Sequence, residues 1–401
     1  MRTTWNFHSA GQLTFGAGAA RRIGRMLGRR GWNRALIVTD PVLAKAGPLD
    51  AVLEPLRDAD IATEVFEGGE PEPSVAAAER AIETARRGTP SVIIGLGGGS
   101  NIDLAKIAAA VHAHGGRPKD YFGWDRVPGP VTPLVCVPTT SGTGSEVSHA
   151  AVLTDTEAHL KVSTLSQHLR PAIALVDPEL THSCPPKVTA DSGIDALTHA
   201  IEAYLATDYR ELDLPPDESA AYEGSYPLGA ALAEKAIQWV GEHLETAVRE
   251  PKNTAARHGM ALAATTAGLA FSNCAVGLVH ALEYPLGGAV HCSHGAGNGL
   301  LLPHVMRYLL PVRTPELARI ASLLGEDTRG LDETAAAERA IAAVDRLRQA
   351  IGVPGRIRDL GGQPAQLPGF ADAAFNIKRL MLMSPRKPTR DDLLAILEAA
   401  Y

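Results

Sequence analysis

Apolar positions in the first half of the chain fall into short blocks of two kinds. "RALIVTD" (34–40), "IATEVFEG" (61–68), "SVIIGLGGGS" (91–100), "TPLVCVPTTSGTGSEVS" (132–148) and "AIALVDPEL" (172–180) carry β-rich apolar runs that stop in turn residues, and they read as strands. Between them, "DAVLEPLRDAD" (50–60), "SVAAAERAIETARRG" (74–88) and "NIDLAKIAAAVHAHGG" (101–116) have helical spacing, the second closing on a glycine. This alternation predicts a mostly parallel, Rossmann-like α/β sheet with helices on both faces. The pattern changes at "CPPKVTADSGIDALTHAIEAYLA" (184–206). Beyond it, Ala- and Leu-rich helical runs cover 229–249, 254–272, 295–310, 334–351 and 389–401, the last opened by a Thr389…Asp392 capping box. No strand pattern interrupts them. The polar, proline-bearing stretch 207–229 reads as a long ordered loop. The expected domains are 1–186, an α/β nucleotide-binding domain, and 187–401, an all-α domain.

A length of 401 residues agrees with two domains. A net charge of −7 leaves no basic surplus for phosphates, so nucleic acid is not an expected partner. No apolar stretch approaches the ~20 residues of a spanning helix, and the N-terminus lacks a signal-peptide pattern. Cys136, Cys184, Cys274 and Cys292 are scattered and form no CxxC pair. They read as free thiols, and the expected compartment is the cytoplasm.

Two loops could cradle phosphate. In "GLGGGSNIDLAK" (95–106), Gly97, Gly98 and Gly99 permit close backbone approach, Ser100 is a candidate N-cap, and Asp103 would complete a capping box. Exposed N–H groups at a helix start suit a pyrophosphate. The usual dinucleotide fingerprint fails because Ser stands at position 100, and no Gly-Lys-Ser/Thr of a Walker loop is present. A tight turn without ligand fits equally well. "PTTSGTGSEVS" (138–148) adds the hydroxyls of Thr139, Thr140 and Thr143 after a second strand, which favours a ligand laid across both loops. Asp40 ends an earlier strand. It either accepts from ribose hydroxyls, favouring NAD over NADP, or simply forms a turn before Pro41.

Three of the chain's 14 histidines lie in "VHALEYPLGGAVHCSHGAGNG" (279–299). Asp195 and His199 in "DSGIDALTHAIEAY" (191–204) are spaced i, i+4 and share one helical face. That spacing fits a surface pair as well as a metal. His280 and His294 would complete a four-ligand N/O set suited to Fe2+ or Zn2+, with room for a substrate oxygen. His291 would back this set or line a pocket.

Together, "GGGSNIDLAK", "PTTSGTGSEVS", "DALTHAIEAY" and "GLVHALEYPLGG…SHGAGNGLLLPHVMRY" resemble the iron-containing (group III) alcohol dehydrogenases, in order along nearly the whole chain. The resemblance implies a dehydroquinate synthase-like architecture: a nucleotide-binding domain, an all-helical domain, and a metal in the cleft. It implies Asp195, His199, His280 and His294 as ligands, with Gly97–Ser100, Thr139, Thr140 and Thr143 facing NAD(H) or NADP(H), and Lys161 beside the nicotinamide ribose. It also implies a small alcohol or aldehyde substrate and a homodimer or larger homo-oligomer. One position departs from the family. Many members carry a second histidine four residues after the third ligand, and here that position is Tyr284. With "AYEGSYPLG" (221–229), Tyr284 resembles the hydroxyacid-oxoacid transhydrogenase branch, which exchanges hydride between 4-hydroxybutyrate and a 2-oxoacid. A lyase of the dehydroquinate synthase type is a third reading, which Asp195 with three histidines disfavours because that metal set is usually Glu with two His.

Overall fold

The computed structural model describes residues 2–157, 160–212 and 220–401. Of the expected loop 207–229, residues 213–219 lie outside the described residues. The chain divides into two units, one of His8–Cys184 and one of Met1–Phe7 with Pro185–Tyr401.

The first unit is built on nine strands among the described residues: β1 (Leu13–Phe15), β2 (Arg34–Val38), β3 (Ala62–Phe66), β4 (Val92–Gly97), β5 (Gly123–Trp124), β6 (Leu134–Pro138), β7 (Ala150–Asp155), β8 (Leu160–Leu165) and β9 (Ile173–Val176). Six form one sheet in the order β1-β9-β6-β4-β2-β3, and every neighbouring pair is parallel. Alternate side chains along β2 enter different cores. Leu36 and Val38 join the layer under helices Val75–Gly88 and Gly99–His114, whereas Ala35 and Ile37 join the layer under Ile23–Gly28 and Pro48–Arg57. This period of two is what a sheet covered on both faces requires.

From β2 the chain passes to β3 on one side and then returns to β4 on the other. The order of strands therefore reverses at β2/β4, and such a switch point opens a crevice beyond the strands' carboxyl ends. The expected parallel sheet is present. The sequence pattern did not reveal edge strand β1, the two-residue β5 or the antiparallel pair β7/β8, whose short apolar runs are interrupted by polar residues.

The second unit is helical, with one large core fed by Pro186–Leu205, Pro227–Arg249, Thr254–Phe271, Leu278–Val290 and His294–Leu309. Helix Leu278–Val290 carries Pro285 inside it and closes on His291 in the left-handed conformation. Residues 221–226 are pinned into this core: Tyr222 and Tyr226 are buried, Gly224 N–H donates to Cys274 O, and Ser225 N–H donates to Thr207 O.

The cysteines give a direct test of these cores. Burial pushes the thiols of Cys136 and Cys274 up to about 12, Cys184 is buried, and Cys292 is only half-buried. At pH 8 a thiol with a pKa near 12 is only about one part in 10⁴ thiolate, so it is inert to thiol–disulfide exchange. Native protein is expected to release about one equivalent of chromophore from Ellman's reagent quickly, from Cys292, and the remainder only after denaturant. Rapid reaction of three or four thiols would contradict this packing.

Candidate functional site

Three of the expected nucleotide-contacting segments sit at the carboxyl ends of adjacent strands β2, β4 and β6: Asp40, Gly97–Ser100 and Thr139–Thr143. The capping expectation is corrected by the structure. The helix begins at Gly99 with Gly98 as N-cap and no side-chain cap, so Ser100 lies within its first turn. Asp103 is not available for a box because tertiary partners occupy it: Oδ1 accepts from Ser145 Oγ at 2.6 Å and Oδ2 from Val152 N–H at 2.9 Å.

The loop after β6 is packed tightly on the glycines. A Cβ at Gly99 would stand 2.7 Å from Thr143 Cγ2, and one at Gly98 would stand 3.3 Å from Thr140 Oγ1. The fully buried Lys106, which sequence reasoning passed over, holds the same loop. Its Nζ lies 2.9 Å from Ser145 Oγ, 3.0 Å from Ser148 O and 2.7 Å from Ala150 O. Burial lowers its pKa, opposed by the nearby Asp103.

Asp40 forms the turn that its position before Pro41 suggested. Its Oδ1 accepts from Val42 and Leu43 N–H, and its Oδ2 accepts from Asn101 Nδ2 at 2.7 Å. Lys161 is on β8, 5% exposed at its side chain, and pairs with Glu72 at 2.8 Å.

In the helical unit, four expected metal ligands converge from three helices. Asp195 and His199 lie on Pro186–Leu205, His280 on Leu278–Val290, and His294 is the first residue of His294–Leu309. The third helix can approach the first because of glycine: a Cβ at Gly295 would fall 1.9 Å from Asp191 O, and one at Gly299 would fall 2.7 Å from Ile194 Cγ1. Ligating atoms of Asp195, His280 and His294 all lie within 4.8 Å of one another. His280 Nε2 and His294 Nε2 stand 3.9 and 4.0 Å from Asp195 Oδ1. Atoms sharing an ion at about 2.0–2.3 Å stand roughly 3–4 Å apart, so the spacing suits a common cation. His199 lies outside that mutual set, but its Nε2 is 3.1 Å from His280 Nε2, and its ring stacks on Phe271 with centroids 4.1 Å apart.

The donor chemistry also fits a cation. His280 Nδ1 is 2.5 Å from Glu202 Oε2, and His294 Nδ1 is 2.5 Å from Glu283 Oε2. Carboxylates only accept, so both imidazoles donate from Nδ1 and leave a lone pair on Nε2. Asn298 Nδ2 lies 2.7 Å from Asp195 Oδ1 and 3.2 Å from each of those Nε2 atoms, which gives two amide protons for three acceptors. A divalent cation would satisfy all three. Burial works to raise the Asp195 carboxyl, but His199, His294, His280 and Asn298 outweigh it and hold it below the ordinary value. Burial pushes His199 down to about 4, against the pull of Asp195, so it is a neutral imidazole at pH 7.

His291 does not join this group. It is exposed and caps its helix in the left-handed conformation at φ 53°. The ring of half-buried Tyr284 lies 6.1 Å from that of His294 and 6.4 Å from that of His280. Glu202, Glu283 and Asn298 were missed in the sequence, yet their spacings carry the signal. Glu202 is three residues after His199, Glu283 three after His280, and Asn298 four after His294, each on its ligand's helical face.

Comparison with known proteins gives concordant matches. A family model described as "Iron-containing alcohol dehydrogenase" matches residues 10–178, and one described as "Fe-containing alcohol dehydrogenase family, C-terminal" matches residues 218–401. The NAD-dependent methanol dehydrogenase of Bacillus methanolicus is 35% identical over 98% of this chain and 99% of its own. The 1,3-propanediol dehydrogenase of Klebsiella pneumoniae is 37% identical over 96% of each chain. The crystal structure of a 1,3-propanediol oxidoreductase superposes with a TM-score of 0.93 at 36% identity, covering 100% of both chains.

Proposed function

The chain belongs to the iron-containing alcohol dehydrogenase family, and from that premise we propose that it is a nicotinamide-linked, Fe2+-dependent oxidoreductase that interconverts a small alcohol and its aldehyde. The observation that carries the reading is the convergence of Asp195, His280 and His294, two of them with Nδ1 committed to a buried glutamate. Asp195, His199, His280 and His294 would hold the cation. When bound, the cation supplies Lewis acidity toward the substrate oxygen, and the nicotinamide supplies the hydride acceptor at C4. The protein supplies position. Glu202 and Glu283 orient the imidazoles, Asn298 orients the Asp195 carboxylate, and Lys106 with Asp103 fixes the loop that carries Thr139, Thr140 and Thr143. Gly97–Ser100 with those threonines is the surface offered to the cofactor's phosphates, and Lys161 is a further cofactor contact.

In oxidation the alcohol yields an aldehyde, NADH and one proton. The relatives named above act on alcohols as dehydrogenases or oxidoreductases, which favours this reading over a hydroxyacid transhydrogenase. The test is NADH formation from short primary alcohols and diols by protein reloaded with Fe2+ or Zn2+. Activity that survives exhaustive chelation, or transfer from 4-hydroxybutyrate to 2-oxoglutarate that outruns NADH release, would overturn it.

Cofactor choice gives a second expected result. Although Asp40 is held in its turn, its charge remains at the carboxyl end of β2 beside the switch point. Asp40→Gly is expected to raise the kcat/KM ratio for NADP over NAD about tenfold or more, because like charges no longer meet at a 2′-phosphate. An unchanged ratio would leave Asp40 a turn residue only.

A further inference from the structure

We propose that Glu283 is the positioning residue for His294: by accepting the Nδ1–H it fixes the tautomer and the angle at which His294 presents Nε2 to the cation. The inference rests on the metal-dependent reading above. Glu283 is fully buried, and its Oε2 lies 2.5 Å from His294 Nδ1. It belongs to helix Leu278–Val290, one turn after His280, so the helix that supplies one ligand also carries the residue that orients another.

Its side chain is fitted against the helix it serves. Gly297 lies one turn into His294–Leu309, and a Cβ there would stand 2.8 Å from Glu283 Cγ. Glycine at 297 is what admits the carboxylate beneath His294. Glu202 stands in the same relation to His280, and its second oxygen is held by Val279 N–H at 2.7 Å.

The two histidines differ in how much else restrains them. The His280 side chain is 3% exposed, with its ring stacked on His199 at 4.7 Å, whereas the His294 side chain is 27% exposed at a helix start. Packing holds His280 even without its glutamate. His294 has solvent on one side, and the Glu283 hydrogen bond is the short contact at its Nδ1, with Asn298 at Nε2 and the Tyr284 ring beside it. A residue that orients a ligand in this way is typically worth about 10–100-fold in metal affinity.

The experiment uses full-length apo-protein titrated with Co2+ against a chromophoric chelator, and compares wild type with Glu283→Leu. Leucine fills similar space but cannot accept a hydrogen bond. The dissociation constant is expected to rise about tenfold or more, with a changed Co2+ d–d absorption. Wild type that binds one Co2+ and a variant that matches it within twofold, with the same spectrum, would overturn the positioning role and leave the metal-dependent reading standing. Wild type that binds no metal would overturn both. A lower apo-protein Tm in the variant with affinity and spectrum unchanged marks a structural role and also counts against the proposal. If Glu283→Leu does not fold, 15N-histidine NMR of the Zn2+-loaded wild type decides: His294 must carry its proton on Nδ1, and a proton on Nε2 refutes the assignment.

Discussion

Replacing His280 by alanine is expected to remove bound metal and alcohol oxidation together while leaving the helical content intact. His280 is 2% exposed and stands at the centre of the constellation, with Nε2 3.1 Å from His199 Nε2 and 3.9 Å from Asp195 Oδ1. Loss of one of four ligands weakens a site whose full binding energy is of order 10 kcal/mol by several kcal/mol. Loss of the cation's effect on the substrate oxygen is expected to lower kcat/KM on the order of 10³-fold or more. The substitution also leaves Glu202 Oε2 without its imidazole donor, and a buried acceptor left unpaired costs about 1–3 kcal/mol. His280→Gln, which keeps a polar side chain near Glu202, separates that cost from metal loss. His294→Ala should behave alike.

His199→Ala is the informative third member, because His199 stands outside the 4.8 Å set that gathers the other three. Its depressed pKa keeps it unprotonated and able to ligate at neutral pH, so metal loss is expected there too. Metal content by emission spectroscopy on purified variants checks all three. Full occupancy in His294→Ala would remove that ligand assignment, and full occupancy in His199→Ala would reduce the set to three.

The parts of this molecule that could be read from the sequence are those governed by periodicity. Strand β4 and helix Gly99–His114 follow from an apolar run, a glycine break and a second apolar run, and the long helices after Pro185 follow from their spacing. Asp195 and His199 were legible because a helix turns i, i+4 into proximity. What escaped depends on tertiary contacts. Asp103 has the sequence of a capping residue, but Ser145 and Val152 claim it. That the helix around His280 runs on through Pro285 is also a tertiary effect, since the proline removes one backbone donor yet is tolerated among packed neighbours. Gly295 and Gly299 lie in the expected helical run 295–310, but spacing alone does not show that they are its close-contact face. Glu283 and Glu202 each sit one turn from a ligand, but whether such a carboxylate points at an imidazole across helices depends on a crossing that no single helix encodes.

Tyr284→His is expected to raise turnover with short alcohols, and Tyr284→Phe is expected to leave it nearly unchanged. Tyr284 occupies the helical position one turn after His280, and its ring lies nearly parallel to that of His294, with an interplanar angle of 28°. It therefore borders the ligand imidazoles from which a proton would leave the site. A phenol ordinarily ionises near pH ~10 and holds its proton at neutral pH, whereas an imidazole near ~6.5 can accept and release one. If Tyr284 is only a wall, removing its hydroxyl slows turnover less than about threefold, and an imidazole there adds a general base worth up to ~10²–10⁴. If the phenol itself relays the proton, Tyr284→Phe should lose that factor. If it instead belongs to a pocket for an acid-bearing substrate, Tyr284→His should damage 4-hydroxybutyrate use and barely help propanol. The alcohol series, measured as NADH release at saturating metal, separates these cases, because a lost relay lowers kcat for every alcohol whereas a lost substrate contact raises KM for one class. Turnover that drops about a hundredfold or more in Tyr284→Phe across the whole series would show that this chain moves its proton through a tyrosine.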